Sequence, residues 1–372
     1  MKKIVFAALV VLSFAAAAYP SAVDKYFSEG KAAFDADQDE VAIKSFKEVI
    51  KLDPDNAEAY AYLGRIESGT NPKQAVEDCN KAIGLNPKLS KAYYGLGNAM
   101  CKLGDFRGAI KQFNTASKLS PDDASVYIAR SLAFSDLGDN GNSIENLDKA
   151  IALDPQNIQA YYNRGSNKYR LDDYRGAEAD FSAVIKIDPK NGDALCYRGF
   201  ARVRMGKDEE GIEDLDKAIG IDPKIVNSYY YRARAKYNLR DFAGAIEDYG
   251  KAIELDPKYA DAYGSRGNAK DDLNDYTGAM EDYNKAIGLD PKQPDFYLNR
   301  GLANARLTNY MAAIDDYTAA IKLRPKFGVA YYYRGMDKFL EGDKKGAMED
   351  LNLAGKYGYA KAYDYIRKIQ EK

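Results

Sequence analysis

Histidine is absent from the 372 residues, and so is tryptophan. Without histidine there can be no Ser-His-Asp or Cys-His nucleophile arrangement and no histidine general base, and most zinc site types are excluded. Cysteine occurs three times, at Cys79, Cys101 and Cys196. The odd number and scattered placement read as small buried hydrophobes, with a Cys79–Cys101 bridge as the alternative. Charge of one sign is also missing: 54 Lys+Arg against 56 Asp+Glu leaves a net charge of −2, which gives no bulk basic field to hold nucleic acid. There is no phosphate-binding loop, because the stretch Gly199 to Lys207 has the wrong spacing and no Ser or Thr after it. Paired carboxylates such as Glu281-Asp282 and Asp315-Asp316 recur at one place in a repeating pattern, which marks them as structural rather than as an acid/base dyad. These absences predict a non-catalytic chain with no cofactor and no metal.

What is present is a period. Proline stands at Pro54, Pro87, Pro121, Pro155, Pro189, Pro223, Pro257, Pro291 and Pro325; the first interval is 33 residues and the others are 34. A fixed period of this length means a stack of one supersecondary unit. With proline set as position 32, the other columns align. Position 4 is Tyr in every repeat except at Leu195. Position 8 is small (Gly30, Gly64, Gly97, Ser131, Gly165, Gly199, Ala233, Gly267, Gly301, Gly335), and so is position 20, from Ala42 to Ala347. Position 24 is mostly large and apolar or aromatic, as in Phe46, Phe113 and Tyr317, and position 27 is Ala or Val.

These columns predict a helical hairpin. Positions 4, 8 and 11 share one face of a first helix, and positions 20, 24 and 27 share one face of a second. Small residues at 8 and 20 let the helices approach, and large ones at 4 and 24 are expected to fill the space around them. Asp105, Asp139, Asp173, Asp241, Asp275 and Asp343 at position 16 read as N-caps of the second helix. A preceding glycine, as at Gly104 and Gly138, ends the first helix, and Asp-Pro steps such as Asp154-Pro155 stop the second.

Tyr/Trp at 4, Gly at 8, Ala at 20, an aromatic at 24, Ala at 27 and Pro at 32 resemble the tetratricopeptide repeat. The resemblance covers residues 23–357, about ten units, with Tyr in every unit but the one with Leu195, where the family also uses Trp. It implies an all-α, right-handed superhelical solenoid of antiparallel helix hairpins. Residues 358–372 read as a C-terminal capping helix, because a solenoid needs a polar-backed terminal element.

One charged pattern runs through the repeats. Position 7 is Arg130, Arg164, Arg198, Arg232, Arg266, Arg300 and Arg334, and position 23 is Asp78, Asp180, Asp214, Asp248, Asp282, Asp316 and Asp350. Repeats five to ten have both members, which predicts recurring Arg–carboxylate pairs in preference to an arginine ladder reading phosphate or sulfate. Position 11 (Lys168, Arg202, Lys236, Lys270, Lys338) either snorkels over the helix pair or adds charge to a binding groove.

The family resemblance implies that the first helices line a concave groove, with ligand contacts at positions 2, 5, 9, 12 and 13. The candidate binding residues are then Tyr94, Asn98, Tyr162, Tyr169, Arg170, Arg204, Tyr230, Arg234, Tyr237, Asn268, Arg306 and Tyr332. Tyr and Arg are the residue types that concentrate interface energy, and the set suits an extended peptide or protein tail bearing a carboxylate or an acidic stretch. An anionic non-protein ligand such as a cell-wall glycan is the alternative. Lys2 and Lys3, the 15-residue apolar run Ile4–Ala18 and Ala16-Ala17-Ala18 read as a signal peptide over 1–18. The run falls short of the roughly 20 residues of a membrane span. The expectation is an exported protein, periplasmic or secreted, with no stable membrane insertion after cleavage and with its oligomeric state unset.

Overall fold

The structure, a computed structural model, describes residues 21–370; the signal peptide expected at 1–18 lies outside them. The described residues contain 21 α-helices and no strand. They divide into two compact units whose boundary falls in the turn after Asp173, inside the fifth repeat. The first unit holds α1 (Ala22–Asp35), α2 (Asp39–Leu52), α3 (Ala57–Glu67), α4 (Pro72–Leu85), α5 (Ser90–Lys102), α6 (Phe106–Leu119), α7 (Ala124–Asp136), α8 (Asn140–Leu153) and α9 (Ile158–Arg170). The second begins with α10 (Tyr174–Ile187), α11 (Gly192–Arg204), α12 (Asp208–Ile221), α13 (Val226–Asn238), α14 (Phe242–Leu255) and α15 (Ala260–Asp272). It continues with α16 (Tyr276–Leu289), α17 (Pro294–Arg306), α18 (Tyr310–Leu323), α19 (Gly328–Leu340), α20 (Lys344–Lys356) and α21 (Lys361–Gln370). Each unit is a solenoid in which every helix packs on its sequence neighbours, and first helices also touch the next first helix, as in α3–α5 and α11–α13. The last helix, α21, lies on α20 with Ala362 buried against Leu351 and Ala354.

The turns obey local chemistry. Asp105, Asp139, Asp241, Asp275 and Asp343 each accept the backbone N–H three residues on, at 2.8–3.1 Å. The residue just before this cap turns left-handed whatever its identity. Gly104, Gly138, Gly206 and Gly342 take φ of 75–90°, and Asp37, Asp172, Arg240, Asn274 and Thr308 take 54–65°. The hairpin geometry imposes that backbone, and glycine is only the residue that adopts it without strain.

Position 24 fills each hairpin interior. Phe46, Phe113, Phe181, Leu215, Tyr283, Tyr317 and Leu351 are essentially inaccessible. The glycine at position 8 makes room for them: a Cβ on Gly97 would meet the Phe113 ring at 2.5 Å, and one on Gly301 would meet Tyr317 at 2.6 Å. The position 4 tyrosines do not fill that interior as expected. They are half-buried at its edge, and the hydroxyls of Tyr93, Tyr127 and Tyr297 donate to the proline carbonyl six residues earlier at 3.1–3.2 Å. Their faces lie 5.2–5.7 Å from the position 7 guanidiniums in six repeats. A tyrosine anchored at its hydroxyl and covered by a cation sits at an edge where a wholly apolar ring would lose the hydrogen bond. Cys79, Cys101 and Cys196 are free thiols, so the Cys79–Cys101 bridge is not formed. Burial pushes the Cys79 and Cys196 thiols up to about 12 and that of Cys101 up to about 11.

The charged columns meet inside the hairpins of repeats six to ten. Arg198, Arg232, Arg266 and Arg334 set Nε and Nη2 against the two carboxylate oxygens of Asp214, Asp248, Asp282 and Asp350 at 2.6–2.9 Å. Arg300 grips Asp316 likewise. Position 11 supplies a third member: Arg202, Lys236, Lys270 and Lys338 contact the same carboxylates at 2.7–2.9 Å. These position 11 cations therefore face the interior of the hairpin and add no charge to a groove. The remaining guanidinium nitrogen reaches back to the preceding second helix, from Arg232 to Asp216 and from Arg300 to Asn284 at 2.6 Å. One arginine thus fastens its own hairpin and the one before it.

Two incomplete repeats show what the pairing does. In the second repeat Leu63 and Glu67 occupy positions 7 and 11 in place of the two cations, and burial pushes the Asp78 carboxyl up to about 6. Arg130 has Asn146 in place of the carboxylate, and burial lowers its pKa. In the complete pair the hydrogen bond to Asp282 raises that of Arg266. Desolvation opposes whichever charge lacks its partner.

Candidate binding site

In each unit the first helices frame a cavity. In the first unit a cavity of about 600 Å³ is lined by Tyr94, Asn98, Cys101, Lys102, Phe106, Ile128, Leu132 and Asp136, among others. These come from α5 and α7 and from the start of α6. Ile128 and Leu132 lie one helical turn apart on α7, so they face the same side. Leu132 is 46% exposed, an apolar side chain left uncovered on α7. The Tyr94 ring is held from behind, tilted against Phe113 at 6.0 Å with the Arg65 guanidinium 5.3 Å away.

In the second unit two adjoining cavities share Tyr237 and Asn268. One, of about 300 Å³, is lined by Tyr230, Arg234, Tyr237, Asn238, Tyr249, Ser265 and Asn268. The other, of about 220 Å³, is lined by Tyr237, Asn268, Asp271, Asp272, Tyr283, Asn299 and Leu302. The Asn268 amide oxygen accepts from the Tyr283 hydroxyl at 2.8 Å and from Asn299 Nδ2 at 2.9 Å, which fixes its orientation between α15, α16 and α17. Tyr230 packs against Tyr259 and Tyr249 at 4.8 and 5.6 Å, and burial raises its phenol pKa.

Of the twelve residues expected from sequence, Tyr94 and Asn98 line the first-unit cavity, and Tyr230, Arg234, Tyr237 and Asn268 line those of the second. Tyr162 and Tyr169 are half-buried on α9. Tyr332 packs among Tyr333, Tyr359 and Tyr365 at the end of the second unit. The other three arginines are engaged within the chain. Arg170 donates to Ser135 Oγ at 2.7 Å, Arg204 lies 4.6 Å from the Tyr174 ring, and Arg306 donates to the Asp271 carboxylate and lies over Tyr276. Positions 12 and 13 stitch consecutive first helices together at a spacing of 35 residues: Arg170 to Ser135, Arg306 to Asp271, and the Tyr237 hydroxyl to Asp272.

Lys102, Asp136, Asp271 and Asp272 were not among the residues expected from sequence, although all four occupy positions 12 and 13, the columns of Tyr169, Arg170, Arg204, Tyr237 and Arg306. Nor was Tyr283, because position 24 reads as core; the ring is core, but the hydroxyl reaches the cavity. Among the described residues no helix is long and apolar enough to cross a membrane.

A family model described as TPR repeat matches residues 30–66, 97–138, 132–172, 234–270 and 267–307, and one described as Tetratricopeptide repeat matches 158–191 and 294–327. An 84-residue stretch is 43% identical to the protein SGT1 homolog of Oryza sativa subsp. japonica, covering 22% of this chain and 23% of that protein. An 88-residue stretch is 35% identical to the protein STIP1 homolog of Dictyostelium discoideum, covering 23% of this chain and 16% of that one. The chain thus spans less than a quarter of the length of these curated relatives. Among solved structures, yeast Tom70 aligns over 94% of this chain and 96% of its own, at 16% identity and a TM-score of 0.48. Matched along half its length by the repeat model, the chain belongs to the tetratricopeptide repeat family.

Proposed function

We propose that this protein is a non-catalytic interaction scaffold that holds an extended peptide segment of a protein partner along its first helices. The observation that carries the reading is that in each unit, taken by itself, the first helices line a cavity, with tyrosine and asparagine walls fixed by internal packing. Preformed aromatic walls bind without a large ordering cost. The Lys2-Lys3 start and the apolar run after it support export to the periplasm or beyond, with a role in envelope assembly or secretion.

The test is a quantitative pull-down from envelope extract with the chain from Tyr19 onward. The wild type is compared with a variant combining Tyr94→Ala, Asn98→Ala, Tyr230→Ala and Tyr237→Ala, after circular dichroism shows both to be helical. A protein captured by the wild type and lost by the variant supports the reading. Capture that is equal in both overturns the placement of the site, and capture of only a protease-resistant anionic glycan overturns the partner class.

A further inference from the structure

The cavity of the first unit differs in chemistry from those of the second. Tyrosine, asparagine, aspartate and one arginine dominate the second-unit linings. In the first unit Ile128, Ala129 and Leu132 form one wall from α7, and Tyr94, Cys101 and Phe106 form the other from α5 and the start of α6. Burial holds the Cys101 thiol well above neutral pH, at about 11, so it stays protonated and adds to the apolar surface. Leu132 is exposed and therefore open to a ligand.

Few polar groups converge on this surface. The Ser68 and Ser125 hydroxyls are engaged with the Arg65 carbonyl and the Asp123 carboxylate. Lys102 and Asp136, one of each sign, stand at position 13 of consecutive repeats, so the lining carries no net charge to draw an ion. Asn98 is half-buried, and its amide has no hydrogen-bond partner among the described residues. Its counterpart at position 9 in the second unit, Asn268, has its oxygen filled by Tyr283 and Asn299. A free amide offers both a donor and an acceptor, the complement of a peptide backbone.

Size and charge narrow the occupant. About 600 Å³ falls within the roughly 300–1,000 Å³ of sites that enclose a ligand, room for a bulky side chain and the backbone that carries it. Eleven residues line the cavity, against roughly 20–30 a side in a stable protein–protein interface, so the surface is too small to hold a second copy of the chain. A charged head would lose hydration against these walls without a net opposite charge to replace it, whereas apolar surface gains by leaving water.

We propose that this cavity anchors one bulky apolar side chain, of the leucine or phenylalanine kind, in the bound partner segment, with the Asn98 amide meeting the backbone of the same residue. The inference rests on the reading of the chain as a peptide-binding scaffold. It gives the ligand an apolar anchor where the sequence pointed to a carboxylate or an acidic stretch.

The test has two arms, both on the full chain. In the first, N-acetyl-leucine-N′-methylamide, a neutral residue with an amide on each side, is titrated into methyl-labelled protein while the Ile128 and Leu132 methyl signals are followed. The alanine, glutamate and lysine compounds of the same form are the controls. Saturable shifts with the leucine compound are expected, with an apparent affinity at least tenfold above that of the alanine compound and no saturable response to the charged two. In Leu132→Asp, read at Ile128, the affinity for the leucine compound should fall at least tenfold. Asn98→Ala should weaken the leucine and alanine compounds by the same factor, because it removes the backbone contact and leaves the apolar walls. Leu132 is at an exposed position, so its variant reports even if the other perturbs folding. The absence of a saturable shift, an equal response to the glutamate or lysine compound, or unchanged affinity in both variants overturns the proposal. In the second arm, labelled peptide pools with random polar positions around a fixed leucine, phenylalanine, alanine, glutamate or lysine are compared by fluorescence anisotropy. A tenfold preference for leucine or phenylalanine over alanine that is lost in Leu132→Asp is expected. Peptide binding without that preference overturns the pocket assignment and leaves the scaffold reading standing. A response to the leucine compound with no binding from any pool does the reverse.

Discussion

Arg266 grips both carboxylate oxygens of Asp282, at 2.9 and 2.7 Å, while Lys270 reaches one of them at 2.8 Å. Asp282 is 4% exposed, so this is a buried pair whose removal from one side leaves uncompensated charge. Asp282→Ala is expected to destabilise the second unit by about 3–5 kcal/mol. Adding Arg266→Leu and Lys270→Met should recover part of that loss. Urea midpoints measured by circular dichroism check this, and a triple variant that is worse than the single would show that the three do not act as a unit.

Asp337 stands at position 10, where Ala99, Ala133, Ala201, Ala235, Ala269 and Ala303 are fully buried. It is buried too, its Oδ2 has no partner, and burial, with Glu341 adding to it, pushes its carboxyl up to about 7. The unfolded value is about 3.9, so the folded state holds the extra proton between about pH 4 and pH 7. Stability therefore falls as pH rises through that window and levels off above it. Asp337→Ala should remove this slope and raise stability at pH 8 by about 1–3 kcal/mol, read from thermal midpoints across pH.

Thr308 adopts φ 62° in the turn before Asn309, a region that suits a β-branched residue poorly. Thr308→Gly relieves about 1–2 kcal/mol of strain and gives back part of it through the freer unfolded chain, for a net gain of about 0.5–1 kcal/mol. Gly206→Thr, the reverse change at the same turn position, should lower stability in the same assay.

Glycine to alanine should change sign with its surroundings. At Gly301 an added Cβ would meet the buried Tyr317 ring at 2.6 Å, and Gly301→Ala should cost about 1–3 kcal/mol by overpacking. Gly220 in α12 has open space at that position, and Gly220→Ala should stabilise by about 0.5–1 kcal/mol through helix propensity. Opposite shifts in urea midpoint would place the helix crossing where the repeat columns put it.

The period, the hairpins, the aspartate caps and the partnership of positions 7 and 23 were legible in the sequence, because each depends on residues that recur at one spacing within a unit of 34. Helix faces and caps are short-range matters, and repetition multiplies a weak local signal. Tertiary structure decided the rest. It placed Tyr127 and Tyr297 under arginines at the hairpin edge, because the hydroxyl needs a carbonyl that only the folded turn presents. It turned the position 11 cations inward to a carboxylate on the second helix. It also determined that Arg306 binds Asp271 across 35 residues and leaves one oxygen of that carboxylate buried and unpaired. A column of residues fixes which side of a helix faces its neighbour; the charge and shape left in the space between two neighbours depend on which side chains engage each other across the repeats, and that is settled only when the hairpins stack.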